Sequence, residues 1–375
     1  MTGRTDGNGI AANDRQGSFA VIWRWILMAL GGLGVVLTVL PFIPSNHSLI
    51  RVWDFPRMQV AALLVIVLIA AVLVLDMRIW QTWAFCAVLA GALAWQAYSI
   101  WPYTPLANTE VKALTTCQPG SRITLLIANI LDENRQTGPL FALVERLNPD
   151  LVLLVETNSW WDGQLEPLKQ AYPYAINHPQ ENSYGLHLFS RFELINPEVR
   201  FLVEDSVPSI KTGVRLPSDA IINLYGLHPR PPPLQDTEER DAELLMAGRE
   251  VHSEPTPAIV AGDMNDVAWS QTNRFFRKVS GLLDPRIGRG PYATFNARWP
   301  LIKWPLDHVF FEKSFRLLEI AVEENIGSDH FPLFVALCHD PATADAHEQE
   351  QEEPDVSDLE EAEEAIEEGH KEAQD

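Results

Sequence analysis

The sequence predicts an α/β fold preceded by three transmembrane helices. Two observations carry this. From Ile123 onward, short apolar runs of strand length alternate with stretches of helical spacing. Before that point lie three long apolar segments, roughly 19–42, 60–75 and 80–100, divided by short charged breaks. A run of such length with few charges is expected to span a bilayer. The third segment carries Trp80, Trp83, Trp95, Trp101 and Tyr103, the aromatic distribution of a membrane interface.

The expected organisation follows from composition. Residues 1–18 read as a disordered N-terminus, 19–102 as a three-helix anchor, 103–120 as a linker, 121–338 as the α/β domain and 339–375 as a disordered acidic tail. The formal charge of −22 is unevenly distributed, because residues 339–375 hold 16 acidic residues against one lysine. A solvated tail is expected from that composition. Neither the tail nor the remainder carries the basic footprint of a general nucleic-acid binder. Lys and Arg flank the apolar segments almost evenly, so charge gives only a slight preference for an inside N-terminus and an extracytoplasmic domain on the inner membrane. A transporter is disfavoured, because the apolar segments contain almost no internal polar residues.

Within the soluble part, Ile123–Ala128 reads as a strand ending at Asn129, and Leu151–Val155 as a strand ending at Glu156. Between them, Leu140, Leu143, Val144 and Leu147 have helical spacing, stopped by Asn148-Pro149-Asp150. A strand over 220–227 ends at His228, and a helix over 237–252 follows. Ile259–Ala261 then runs into Gly262-Asp263-Met264-Asn265-Asp266. Two late strands begin just after polar residues, at Asp307 and at Asp329-His330. Strands running up end at the edge where antiparallel strands begin. One rim of a sheet therefore collects an amide, several carboxylates and two histidines. Such a gathering is costly unless a cation or substrate compensates it. Oxygen ligands favour Mg²⁺ or Mn²⁺, and no HxxxH or CxxC spacing indicates zinc.

The motifs IANIL, PDLVLLVET, LFSR, NLYGLHP, IVAGDMND, PLDHVFF and GSDHFPLFVAL, in this order, resemble the endonuclease/exonuclease/phosphatase superfamily, and the preceding spans look like its membrane-anchored bacterial members. The resemblance covers about 121–338. It implies a four-layer α/β sandwich, two mixed sheets flanked by helices, and a Mg²⁺- or Mn²⁺-dependent hydrolase of phosphodiesters or phosphomonoesters. It also implies residue roles. Glu156, Asn129 and Asp329 would be metal ligands. His330 would be the general base or a stabiliser of the phosphoryl group, oriented by Asp307. Asp263 would position the attacking water, and Asn265 and His228 would contact the phosphate. The His228 motif reads LHP where many relatives carry a THL-like run, which leaves the substrate open among nucleic acid, lipid and small molecule. Arg200, Lys211, Arg215, Arg230, Arg286 and Arg289 are scattered candidates for phosphate contacts. The alternative is a membrane-anchored phosphate-binding module that has lost the chemistry; the intact residue set argues against it.

Cys117 lies just before the first strand of this domain and Cys338 ends the last. If those strands are antiparallel neighbours, the two cysteines either pair, as suits an oxidising compartment, or remain two free thiols.

Overall fold

The computed structural model describes residues 8–232, 236–346 and 353–374, with side chains described from residue 21. In chain order the helices begin with α1 (Asn8–Val39), α2 (Ser48–Arg51), α3 (Arg57–Val74) and α4 (Trp80–Ile100). The chain forms two compact units, one of residues 1–45 and 56–100, the other of 46–55 and 101–375.

In the first unit α1, α3 and α4 pack through small residues. A Cβ on Gly31 would meet Phe85 at 2.5 Å, and one on Gly34 would meet Leu64 at 2.8 Å. Leu64 and Leu89 are fully enclosed there, a mode of approach typical of helices in lipid. Three stretches of these helices are long and apolar enough to cross a membrane, 21–42, 57–74 and 80–103. Two expectations are amended. Helix α1 already begins at Asn8, inside the stretch expected to be disordered; residues 1–7 lie outside the described ones. The spans also hold a polar cluster: Gln96 donates to Thr38 Oγ1 at 3.0 Å, and Arg57 donates to Gln96 and Ser99 at 3.4 Å each.

The second unit is the four-layer sandwich. Its elements are β1 (Arg122–Asn129), α5 (Thr137–Leu147), β2 (Leu151–Val155), α6 (Ser159–Gln164), α7 (Glu166–Ala171), β3 (Tyr174–His178), β4 (Leu186–Ser190), β5 (Glu193–Phe201), β6 (Pro208–Arg215), β7 (Ile221–Leu227), α8 (Glu238–Ser253), β8 (Ala258–Asp263), α9 (Gln271–Ser280), β9 (Asp307–Phe311), β10 (Phe315–Val322), β11 (Leu333–His339) and α10 (Val356–Glu372). One sheet has the order β10-β11-β1-β2-β4-β3, the other β5-β6-β7-β8-β9. Ile123, Leu125 and Leu153 meet Ile222, Leu224 and Ile259 between the sheets. Leu126 and Leu154 turn outward to Leu140 and Trp161 on the helices. On the far side Val260 and Phe310 pack on Leu244 and Phe276. With both faces covered, the central strands read as unbroken apolar runs.

Strand direction creates the rim. Asn129 pairs with Val155 in the parallel β1–β2 ladder, and Asp263 pairs with Asp307 in the antiparallel β8–β9 ladder. The antiparallel β1–β11 pairing also sets Arg122 opposite Cys338, and Cys117 and Cys338 are joined as a disulfide with Cα atoms 5.6 Å apart.

The acidic tail departs from the expected disorder. Residues 347–352 lie outside the described ones, but α10 is a capped helix: Asp355 accepts from Asp358 N, and Asp358 reaches back to Asp355 N. Its Ala362 and Ile366 pack on Leu245 and Val279, and Lys278 pairs with Asp358 at 2.7 Å. The charge run conceals an apolar stripe at i and i+4, which is enough to seat a helix that has a partner surface.

Candidate active site

Each strand presents its terminal polar group at the common rim. At the end of β8, Gly262 takes φ 146°. A Cβ there would lie 1.9 Å from the Leu227 carbonyl, so only glycine lets β8 run this close to β7. The following turn is fixed from several sides. Asn265, at φ 51°, gives its backbone N–H to Asp263 Oδ1 at 3.0 Å and its side-chain amide to Pro229 O at 2.9 Å. Arg240 of α8 donates to Asn265 O at 3.1 Å, and His308 contacts Asp266 O at 2.8 Å. Glu156 also stands in the left-handed region, at φ 60°. Non-glycine residues held there are typical of functional turns.

Asp263, Asp307 and His330 offer ligand atoms within 4.8 Å of one another. His330 Nδ1 lies 2.8 Å from Asp307 Oδ2, and its Nε2 lies 3.5 Å from Asp263 Oδ2. Burial disfavours the imidazolium, but Asp263 and Asp307 outweigh it and hold the His330 pKa up at about 10. His228 Nε2 stands 4.0 Å from the same Asp263 oxygen. There burial prevails over Asp263 and pushes the ring down to about 4. The surroundings thus drive the two rings in opposite directions, His330 toward its charged form and His228 toward its neutral one.

Asn129 Nδ2 bridges two carboxylates, Glu156 Oε1 at 2.7 Å and Asp263 Oδ2 at 3.0 Å. Its amide oxygen accepts from Leu131 N at 3.0 Å and keeps a second lone pair, so Asn129 donates to the acidic groups while its oxygen faces its own loop. Burial pushes Glu156 up to about 7 against the Asn129 hydrogen bond, and the Asp263 and Asp329 carboxylates add to the rise. Asp329 is half-buried beside His330, and its backbone carbonyl accepts from Ala297 N at 2.7 Å. Among the described residues, Asp307 Oδ1 is buried without a hydrogen-bond partner, as is His228 Nδ1.

All eight residues expected from the sequence are thus found at strand ends or in the turns beside them. Sequence reading missed others. The Tyr184 ring lies 5.6 Å from His228, and Phe295 lies 5.0 Å from His330. Arg240 lies in an acidic run that reads as a solvated helix face, and nothing local marks it. The scattered basic candidates do not converge on the rim. Arg200 and Lys211 pair with Glu250, Arg215 with Glu193, and Arg230 with Glu204. Arg286 is fully buried on Asp284 and His308. Arg289 donates to the carbonyls of Pro285 and Val111.

A two-sheet α/β sandwich with acidic and imidazole groups gathered on one rim defines the class of fold. The chain belongs to the Endonuclease/Exonuclease/phosphatase family, whose pattern matches residues 125–330. Among solved structures it is similar to a humanized TDP2 from D. rerio, at 16% identity and a TM-score of 0.50, covering 58% of this chain and 99% of that one. It is also similar to the human Nocturnin catalytic domain with bound sulfate anion (17%, TM-score 0.49, 58% and 94% covered) and to an endonuclease/exonuclease/phosphatase from Beutenbergia cavernae (17%, 0.48, 59% and 72%). No curated protein matches.

Proposed function

We propose that this chain is a divalent-metal-dependent phosphoric-ester hydrolase anchored in a membrane. It would cleave a phosphodiester or phosphomonoester by in-line attack of water. The observation that carries this reading is the convergence of Glu156, Asp263, Asp307 and Asp329 on one imidazolium. Four carboxylates around a single cation leave an excess of negative charge, and the unpartnered Asp307 Oδ1 sits within it. That donor chemistry fits Mg²⁺ or Mn²⁺. Glu156 and Asp329 would hold the ion, which supplies Lewis-acid stabilisation of phosphoryl charge.

The protein's own groups do the rest. Asp263, anchored by the Asn265 N–H, orients the water and receives its proton. The water oxygen forms the new P–O bond as the ester oxygen departs with the bonding pair. His330, held charged by Asp307, donates to the phosphoryl oxygen, and the Asn265 amide would assist with the N–H not given to Pro229 O. Of the two roles open to His330, this reading takes charge stabilisation, because the Asp263 and Asp307 carboxylates favour the protonated ring. His228, kept toward its neutral form by burial, stands 4.0 Å from the same Asp263 oxygen that His330 approaches.

Chain connectivity supports the placement. Residues 46–55, between α1 and α3, belong to the same compact unit as the chain after α4. Trp269 Nε1 donates to Asp54 O at 2.8 Å, and Thr237 N to Asn46 O at 3.1 Å. In this reading both segments lie on one side of the bilayer, and α3 and α4 cross it as a pair. The Cys117–Cys338 disulfide suits the oxidising, extracytoplasmic side.

The test uses the full chain in detergent with a soluble aryl phosphodiester and monoester. Hydrolysis should require Mg²⁺ or Mn²⁺ and stop with chelator. Glu156→Gln should lower the rate by roughly 10²-fold or more. Undiminished turnover in excess chelator contradicts the reading, and metal-dependent phosphate binding without turnover replaces it with the binding-module alternative.

A further inference from the structure

We propose that the loop from Arg298 to Lys303 docks on a bilayer surface, and that the phosphoester entering the site is the headgroup of a membrane lipid. The second half rests on the phosphoesterase reading above.

The base of this loop is fastened to the site. Phe295 and Trp304 pair backbone to backbone, and their rings stack with centroids 5.9 Å apart. Phe295 also packs on His330, and Ala297 N donates to Asp329 O. The tip between them is exposed to solvent. Trp299 is 61% exposed and Leu301 84%, with Pro300 and Ile302 exposed beside them. Arg298 and Lys303 flank this apolar tip. Apolar residues led by tryptophan and edged with basic side chains are the composition of interfacial segments, which seat in the acyl boundary while the cations meet anionic headgroups.

Connectivity says what lies nearby. Phe55 meets Trp304 edge-on, centroids 5.5 Å apart. Two residues later α3 begins at Arg57, the first residue of an 18-residue apolar span. Two extended residues reach at most about 7 Å. The chain thus leaves for the span from a ring in contact with the loop's own base. Three further exposed apolar side chains of this unit lie next to the same departures along the chain: Leu49 between α1 and α3, and Trp101 and Leu106 after α4. A rim seated at headgroup depth meets lipid phosphates without extracting the lipid. A site meant for a freely diffusing ester gains nothing from such a tip.

The experiment uses the full chain in nanodiscs of phosphatidylcholine containing phosphatidylglycerol and phosphatidic acid. In a Cys86→Ser background, Leu301→Cys is labelled with an environment-sensitive dye. A nitroxide-bearing lipid should quench it. An unquenched dye overturns the docking proposal, and a signal that instead requires two chains per disc assigns the loop to a second copy and overturns it equally. The triple variant Trp299→Ser/Leu301→Ser/Ile302→Ser is then compared with wild type on the two lipids and on a soluble aryl phosphodiester. The ratio of lipid to soluble rate should fall at least tenfold. An unchanged ratio, or wild type that cleaves the soluble ester but neither lipid, overturns the lipid substrate. Wild type inert toward every ester defeats the phosphoesterase reading instead, while the quenching still decides the docking.

Discussion

Glu243 offers a quantitative test of the electrostatics behind the rim. It lies on α8, is 3% exposed, and its Oε1 has no hydrogen-bond partner. Burial, with the Glu204 carboxylate adding to it, pushes its pKa up from 4.5 to about 8. The folded state therefore holds this proton more tightly than the unfolded chain. Its contribution to stability is complete below the unfolded pKa near 4.5 and drains away as pH rises through about 8. At about 1.4 kcal/mol per pH unit, the loss between pH 5 and 8.5 is on the order of 3–4 kcal/mol. Glu243→Gln keeps the shape and removes the titration. The assay is thermal unfolding of the full chain in detergent at both pH values, followed by near-ultraviolet circular dichroism. Wild type should lose several degrees more than the variant between the two, and the variant should be the more stable protein at pH 8.5. Equal pH slopes in the two proteins would refute an uncharged carboxyl at this position.

Two further outcomes follow from the same geometry. Asp307→Asn leaves His330 with one close carboxylate instead of two; kcat/KM on a soluble ester should fall roughly 10²–10⁴-fold with little change in melting temperature, and a loss under threefold would remove Asp307 from its orienting role. The disulfide closes a separation of 221 residues, for which chain entropy gives about 5 kcal/mol. A thiol assay on unreduced, denatured protein should therefore find Cys86 alone, and reductant should lower the melting temperature; three reactive thiols before reduction would exclude the bond.

The rim was legible because fully apolar strands, each stopped by one polar residue, are unambiguous in sequence. Asn129, Glu156, His228 and Asp263 announce themselves in this way. Alternation within β9 turns His308 away from Asp307, and the structure carries it to Arg286 and Asp266 O. Edge strands were not legible. Strand β5 is largely exposed, and its pairing with β6 is interrupted between Ile195 and Glu198, beside Asn196-Pro197. Its residues show neither a solid apolar run nor clean alternation. Supporting residues escaped for a different reason. Arg240 acts through one backbone carbonyl 25 positions away, a contact that only the fold creates.

The acidic tail shows propensity and packing in opposition, and Gly369 separates them. Within a helix interior, glycine to alanine favours the helix by about 1 kcal/mol. If α10 were merely a solvated, transient helix, Gly369→Ala would strengthen it. In the structure a Cβ at Gly369 would lie 2.4 Å from Ala242 Cβ and 2.7 Å from the Glu238 carbonyl oxygen. Neither neighbour is a flexible side-chain tip, so α10 or α8 must shift. Overpacking of this kind typically costs about 1–3 kcal/mol, which exceeds the gain in propensity. Gly369→Ala should therefore loosen α10 from α8. Amide exchange across residues 356–372 should quicken and limited proteolysis before Val356 should accelerate, while ester hydrolysis is unaffected. Slower exchange in the variant would mean that helix propensity, and not the seat on α8, orders the tail.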